Sequence, residues 1–105
     1  MNKIGIDIVH IPRFSERLQQ PGVQKKIFLP SEQHDKTAEQ LAGMFAAKEA
    51  ILKATGKKAG TWLDIEISRQ ADGAPVARVT DGSPVTISIS HDGDYAIAIA
   101  FSLLH

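Results

Sequence analysis

Cysteine is absent from the 105 residues. That excludes a disulfide framework and thiol chemistry, and makes the cytoplasm the expected compartment. Net charge is missing as well: 12 basic side chains stand against 12 acidic ones, which argues against a nucleic-acid binder. No apolar run is long enough to span a membrane. The opening Met1-Asn2-Lys3-Ile4-Gly5-Ile6-Asp7 lacks the apolar core of a signal peptide. Repeats and low-complexity tracts are lacking too. A chain of this length is expected to form one domain, residues 1–105, small enough to gain from oligomerisation.

The charge that is present is uneven. Within residues 1–30, Lys3, Arg13, Arg17, Lys25 and Lys26 face only Asp7 and Glu16, a basic surface suited to an acidic partner.

Period marks the elements. Residues 3–9 alternate Ile4, Ile6 and Ile8 with Gly5, Asp7 and Val9, which reads as a half-buried strand with Asp7 on the face opposite the isoleucines. Pro12 suits a first helical position, and Pro21-Gly22 stops that helix. A short helix is expected after Pro30, around Ser31-Glu32-Gln33. From Ala38 to Thr55 the large apolar residues Leu41, Met44, Phe45, Ile51 and Leu52 recur at three- and four-residue steps, giving one long helix closed by Gly56. The second half changes to period two. Trp62–Ser68, Pro75–Thr80, Val85–Ser90 and the strand beginning at Tyr95 are separated by turns at Asp72-Gly73, Asp81-Gly82 and Asp92-Gly93. In the last strand Tyr95, Ile97, Ile99, Phe101 and Leu103 alternate with Ala96, Ala98 and Ala100. It is apolar on both faces, so it should be central, with its alanine face admitting a helix. The expected fold class is α+β: one long helix plus short helices packed on an antiparallel sheet.

Polar groups collect where a core does not need them. Lys48 falls within the apolar stripe of the long helix, one heptad after Leu41; an unpaired buried ammonium is costly, so an anion is expected at that face. Glu49 follows at the stripe's edge, and Lys53 lies one turn further on. The structural alternative is that Lys48 snorkels and Glu49–Lys53 is a surface pair. Asp7 lies on a strand, and His91 directly follows the Ser88-Ile89-Ser90 strand; taken singly, Asp7 reads as a carboxylate on a solvated strand face and His91 as an ordinary turn residue. Two carboxylates from separate elements can hold Mg²⁺ alongside waters and substrate phosphates, and nearby lysines can neutralise phosphate oxygens. This is equipment for phosphoryl transfer.

At these residues the chain resembles the holo-[acyl-carrier-protein] synthases, the small class of 4′-phosphopantetheinyl transferases. Gly5-Ile6-Asp7-Ile8-Val9 with Arg13-Phe14, then Leu41-Ala42-Gly43-Met44-Phe45-Ala46-Ala47-Lys48-Glu49-Ala50 with Lys53, then Ser88-Ile89-Ser90-His91 match in order. The stretch Trp62–Ile67 and Asp72-Gly73-Ala74-Pro75-Val76 are similar to the family's middle hairpin. The resemblance implies transfer of the phosphopantetheine arm of coenzyme A to a serine of apo-acyl carrier protein, releasing adenosine 3′,5′-bisphosphate, in support of fatty acid or related carrier-dependent biosynthesis. It implies Asp7 and Glu49 as ligands of Mg²⁺ (or Mn²⁺), and Glu49 as proton acceptor, directly or through a water. It implies Lys53 as the residue that steadies the pyrophosphate and can protonate the leaving group. Lys48 is assigned to phosphate or to structural charge balance, and Ser90 and His91 to the nucleotide end of coenzyme A; Lys57 and Lys58, which the family pattern lacks, either bind a coenzyme A phosphate or are solvated. Arg13, with Arg17 and Lys25, is expected to meet the acidic carrier. A homotrimer with the coenzyme A site between neighbouring subunits is implied too.

The chain departs from the family pattern at His10, where Glu is usual, at Met44, where Arg is common, and at Asp92, where a hydroxyl residue is frequent. The 30–41 segment is short, and Gly56-Lys57-Lys58-Ala59-Gly60 replaces a Gly-Thr-Gly loop. A second reading follows from these: a module of the same fold that binds coenzyme A or the carrier without turnover.

Overall fold

The structure is a computed structural model that describes residues 3–103. Strand β1 (Lys3–His10) leads directly into helix α1 (Ile11–Leu18), with Pro12 in its first turn. Two short helices follow, α2 (Val23–Ile27) and α3 (Pro30–Gln33), and then the long helix α4 (Ala38–Thr55). A 3₁₀ turn at Trp62–Asp64 enters β2 (Ile65–Arg69), which pairs with β3 (Pro75–Val79); β4 (Val85–Asp92) and β5 (Tyr95–Ser102) close the order.

The strands are antiparallel throughout but form two sheets rather than one: β1-β5-β4, and the separate hairpin β2-β3. As expected, β5 is central, with Ala98 aligned to Asp7 on one side and to Ile89 on the other. The alanine face of β5 is buried against α4, since Ala96, Ala98 and Ala100 are fully enclosed or nearly so. Small side chains there let a helix lie close to the sheet. Both ends of α4 follow local chemistry. Thr37 and Gln40 cap its start reciprocally, and Gly56 ends it in the left-handed region at φ 69°.

Two details differ from the pattern in the sequence. Trp62 to Asp64 wind into a 3₁₀ turn, so the strand begins only at Ile65. In β1 the isoleucines face outward: Ile4, Ile6 and Ile8 are more than half exposed, while Gly5 and Val9 are buried. The reason is steric. A Cβ on Gly5 would lie 2.0 Å from the Ala50 carbonyl oxygen, so α4 can cross β1 only on the glycine face. Ile97, Ile99 and Tyr95 of β5 are exposed on the sheet as well.

Candidate active site

The close crossing at Gly5 sets the position of the next residue on the same face. Asp7 points towards α4, where Lys53 Nζ approaches Asp7 Oδ1 at 3.2 Å and donates to the Ile6 carbonyl at 2.9 Å. The Asp7 side chain is 18 % exposed and that of Lys53 56 %, so the pair sits at a rim rather than in the core. Glu49, one helical turn before Lys53, does not pair with it. Glu49 Oε2 accepts a hydrogen bond from the indole Nε1 of Trp62 at 3.2 Å.

Asp7, Glu49 and Trp62 line one cleft of about 310 Å³, together with His10, Arg13 and Arg17. Strand β1 supplies Asp7, the middle of α4 supplies Glu49, and α1 supplies the two arginines. The start of α1 is held by His10, whose Nδ1 accepts the Arg13 backbone N–H at 3.3 Å. The floor is aromatic: Phe14 stacks on Phe45 with centroids 4.9 Å apart, and Phe45 leans on Trp62 at 5.7 Å. The cleft thus joins two carboxylates to a basic wall over an apolar base. Among the described residues no cluster of three or more His, Cys, Asp and Glu side chains forms a closed metal cage. Two carboxylates facing an open cleft are instead the donor set that suits Mg²⁺, which keeps several waters and shares substrate phosphates.

Lys48 requires a correction as a phosphate-binding residue. Its side chain is fully buried, and its ammonium donates to Glu32 Oε1 at 2.6 Å, the Ile27 carbonyl at 2.8 Å and the Trp62 carbonyl at 3.1 Å. The anion that its place in the apolar stripe calls for is therefore internal. Burial pushes the Lys48 pKa down, against the opposing hydrogen bond and charge of Glu32. Glu32 is equally enclosed, and its other oxygen accepts the Ile67 backbone N–H at 2.7 Å.

The remaining residues lie elsewhere. Lys57 is bonded to Asp81; that contact, with Ser83, holds the Asp81 carboxyl far below the usual carboxylate range. Lys58 is exposed in the loop after α4. Lys25 borders a separate hollow with Phe28 and His34. Ser90 sits in a shallow hollow of the exposed sheet face with Ile6 and Ile97. His91 lies within β4 rather than after it, 3.4 Å from Glu39 in the first turn of α4. Glu49 lies ten positions after Glu39 on the helix, roughly 15 Å along the axis. Within one chain His91 and the Asp7–Glu49 cleft do not form one pocket. Sequence reasoning missed Trp62 and Glu32 as parts of the site. The signal for Trp62 was its being the single tryptophan; Glu32 offered none, because a carboxylate in a first helical turn ordinarily faces solvent.

The class that this fold and cleft define is matched by comparison. Residues 3–100 fit the model of the 4′-phosphopantetheinyl transferase superfamily. The holo-[acyl-carrier-protein] synthase of Clavibacter sepedonicus is 40 % identical over 107 positions, covering 90 % of this chain and 89 % of that protein. The corresponding synthase of Corynebacterium glutamicum strain R is 38 % identical, covering 93 % and 95 %. Among solved structures, the Helicobacter pylori synthase in complex with coenzyme A superposes with a TM-score of 0.86 at 32 % identity, covering 95 % of this chain and 99 % of that one. The chain belongs to the 4′-phosphopantetheinyl transferase superfamily, as a transferase of the holo-[acyl-carrier-protein] synthase kind.

Proposed function

We propose that the chain transfers the 4′-phosphopantetheine arm of coenzyme A to a serine of an apo-acyl carrier protein, with Asp7 and Glu49 holding Mg²⁺. The observation that carries the reading is the convergence of both carboxylates on one cleft with Arg13 and Arg17 on its wall. When bound, the metal would neutralise the pyrophosphate that these two carboxylates would otherwise repel. The serine hydroxyl attacks the β-phosphorus, and Glu49 accepts its proton, a contribution of about 10²–10⁴-fold. The new bond joins serine Oγ to phosphorus. The bond from phosphorus to the bridging oxygen breaks, and its electron pair leaves with adenosine 3′,5′-bisphosphate. Lys53 offers its charge to the pyrophosphate, exchanging the Asp7 contact for a phosphate oxygen. Arg13 and Arg17 meet the acidic carrier. Lys57, Lys58, Ser90 and His91 are assigned to the nucleotide end of coenzyme A.

A homotrimer completes this reading. The distance between His91 and the Asp7–Glu49 cleft within one chain supports a coenzyme A site shared by neighbouring subunits. The outward isoleucines of β1 and β5 offer an apolar face for the contact. The cytoplasm is the compartment in which a cysteine-free enzyme of this kind would work. Among the described residues no helix is long and apolar enough to cross a membrane.

The test is incubation with Mg²⁺, coenzyme A and an apo-carrier protein, followed by intact mass measurement of the carrier. A gain of one phosphopantetheine is expected. An unchanged mass across a panel of apo-carriers would overturn the proposal.

A further inference from the structure

Consecutive residues of α4 hold the two ends of Trp62. Lys48 Nζ donates to its backbone carbonyl at 3.1 Å, and Glu49 Oε2 accepts from its indole N–H at 3.2 Å. The ring between these two points leans on Phe45, one turn before Glu49. The Lys48 end is itself fixed, because its ammonium is locked to Glu32, whose carboxylate also accepts backbone N–H groups from Leu29 and Ile67. That pair ties α3, α4 and the start of β2 into one rigid corner.

We propose that Trp62 is a positioning residue for Glu49, its indole N–H holding Oε2 of the carboxylate while the buried Lys48–Glu32 pair holds the backbone from which the indole projects. An indole N–H is a donor only, so the contact has a single polarity. It binds one carboxylate oxygen and leaves Oε1, which has no hydrogen-bond partner among the described residues, for the metal or the incoming proton. It also competes with Lys53, which is one turn away and is the natural partner of Glu49 at that spacing. With Glu49 held by Trp62, Lys53 rests on Asp7 until a phosphate oxygen takes the place of that contact. Partners that orient a metal-binding carboxylate in this way typically affect metal affinity or activity 10- to 100-fold. The inference rests on the proposed function, and it adds a residue that acts through Glu49.

The test compares wild type with Trp62→Phe, which keeps an aromatic ring against Phe45 and removes the N–H. The expected result is a fall in kcat of roughly tenfold and a rise of similar size in the Mg²⁺ concentration for half-maximal rate. The KM for carrier protein should change less than twofold, and the melting transition should stay cooperative. Because the chain has a single tryptophan, a second variant can replace this indole alone by benzothiophene, with sulfur in place of N–H and the shape preserved. It should reproduce the same loss, and it decides the matter if Trp62→Phe does not fold. Wild-type kcat and Mg²⁺ dependence in a folded variant would overturn the proposal. Substrate-free Mn²⁺ binding, followed by electron paramagnetic resonance, separates this inference from the activity. If the wild type transfers nothing, the proposed function fails by itself, and Mn²⁺ binding several-fold weaker in Trp62→Phe still supports the positioning role. Equal Mn²⁺ affinities would remove it.

Discussion

Lys48 and Glu32 meet at 2.6 Å with both side chains fully enclosed, sixteen residues apart in the chain. Each is the other's only counter-charge within hydrogen-bond reach among the described residues. Such a pair contributes little net stability over an apolar substitute, yet removing one partner leaves a buried charge uncompensated. Lys48→Met should therefore destabilise the fold by about 3–5 kcal/mol. Adding Glu32→Gln should recover a large part of that loss. Denaturant titration of the two single variants and the double variant measures the coupling; additive losses would mean that the two side chains do not act as a pair.

Gly5→Ala should be more damaging than its size suggests. The new Cβ would lie 2.0 Å from the Ala50 carbonyl oxygen and 2.9 Å from the Ala54 nitrogen, both helix backbone, so α4 and β1 must separate. Overpacking of this kind costs roughly 1–3 kcal/mol, occasionally more. The separation also pulls Asp7 away from Lys53 and Glu49. A lower melting temperature together with weaker Mn²⁺ binding is expected; unchanged melting would show that the helix can slide without penalty.

Chelation should abolish transfer, and added Mg²⁺ or Mn²⁺ should restore it. Glu49→Gln should reduce kcat by orders of magnitude, since the amide is a poor metal ligand and cannot accept the serine proton. Affinity for coenzyme A, measured by calorimetry, should change much less. Near-normal turnover in Glu49→Gln would reduce Glu49 to a hydrogen-bond partner of Trp62.

In solution the protein should sediment as a trimer of the 11.4 kDa chain. Ile97→Lys places a charge in the middle of the exposed apolar face formed by Ile6, Ile8 and Ile99, and should shift the mass towards one chain. It should lower activity in parallel if the site is shared between subunits. A monomeric wild type at micromolar concentration would contradict the shared site.

Arg13→Glu should raise the KM for the carrier protein and leave the KM for coenzyme A nearly unchanged. Arg13 is exposed on α1 at the wall of the cleft, where reversing the charge replaces attraction to an acidic partner with repulsion. Raising salt should weaken carrier use by the wild type and improve it for the variant, because screening removes an attraction in one and a repulsion in the other. Equal carrier KM values at low salt would exclude Arg13 and turn attention to Arg17.

The sequence alone determined the elements whose causes are local. Gly56 closes α4 because a glycine accepts a positive φ there. The alternating alanines of β5 made a central strand under a helix legible. Glu49 and Lys53 stood out on the long helix beside Lys48, whereas the role of Asp7 came from the resemblance of its strand motif and not from any spacing. Tertiary structure decided what depends on partners distant in the chain. By hydrophobicity Ile4, Ile6 and Ile8 belong inside, but only the Gly5 face has room for the helix backbone, so the isoleucines were turned outward. Lys48 called for an anion, and nothing local could reveal that Glu32 from α3 would supply it rather than a substrate phosphate. Likewise the spacing of Glu49 and Lys53 favours their pairing along the helix. The folded chain instead brings the Trp62 indole to one and Asp7 to the other, because those groups converge only after α4 has packed between the sheet and the 3₁₀ turn.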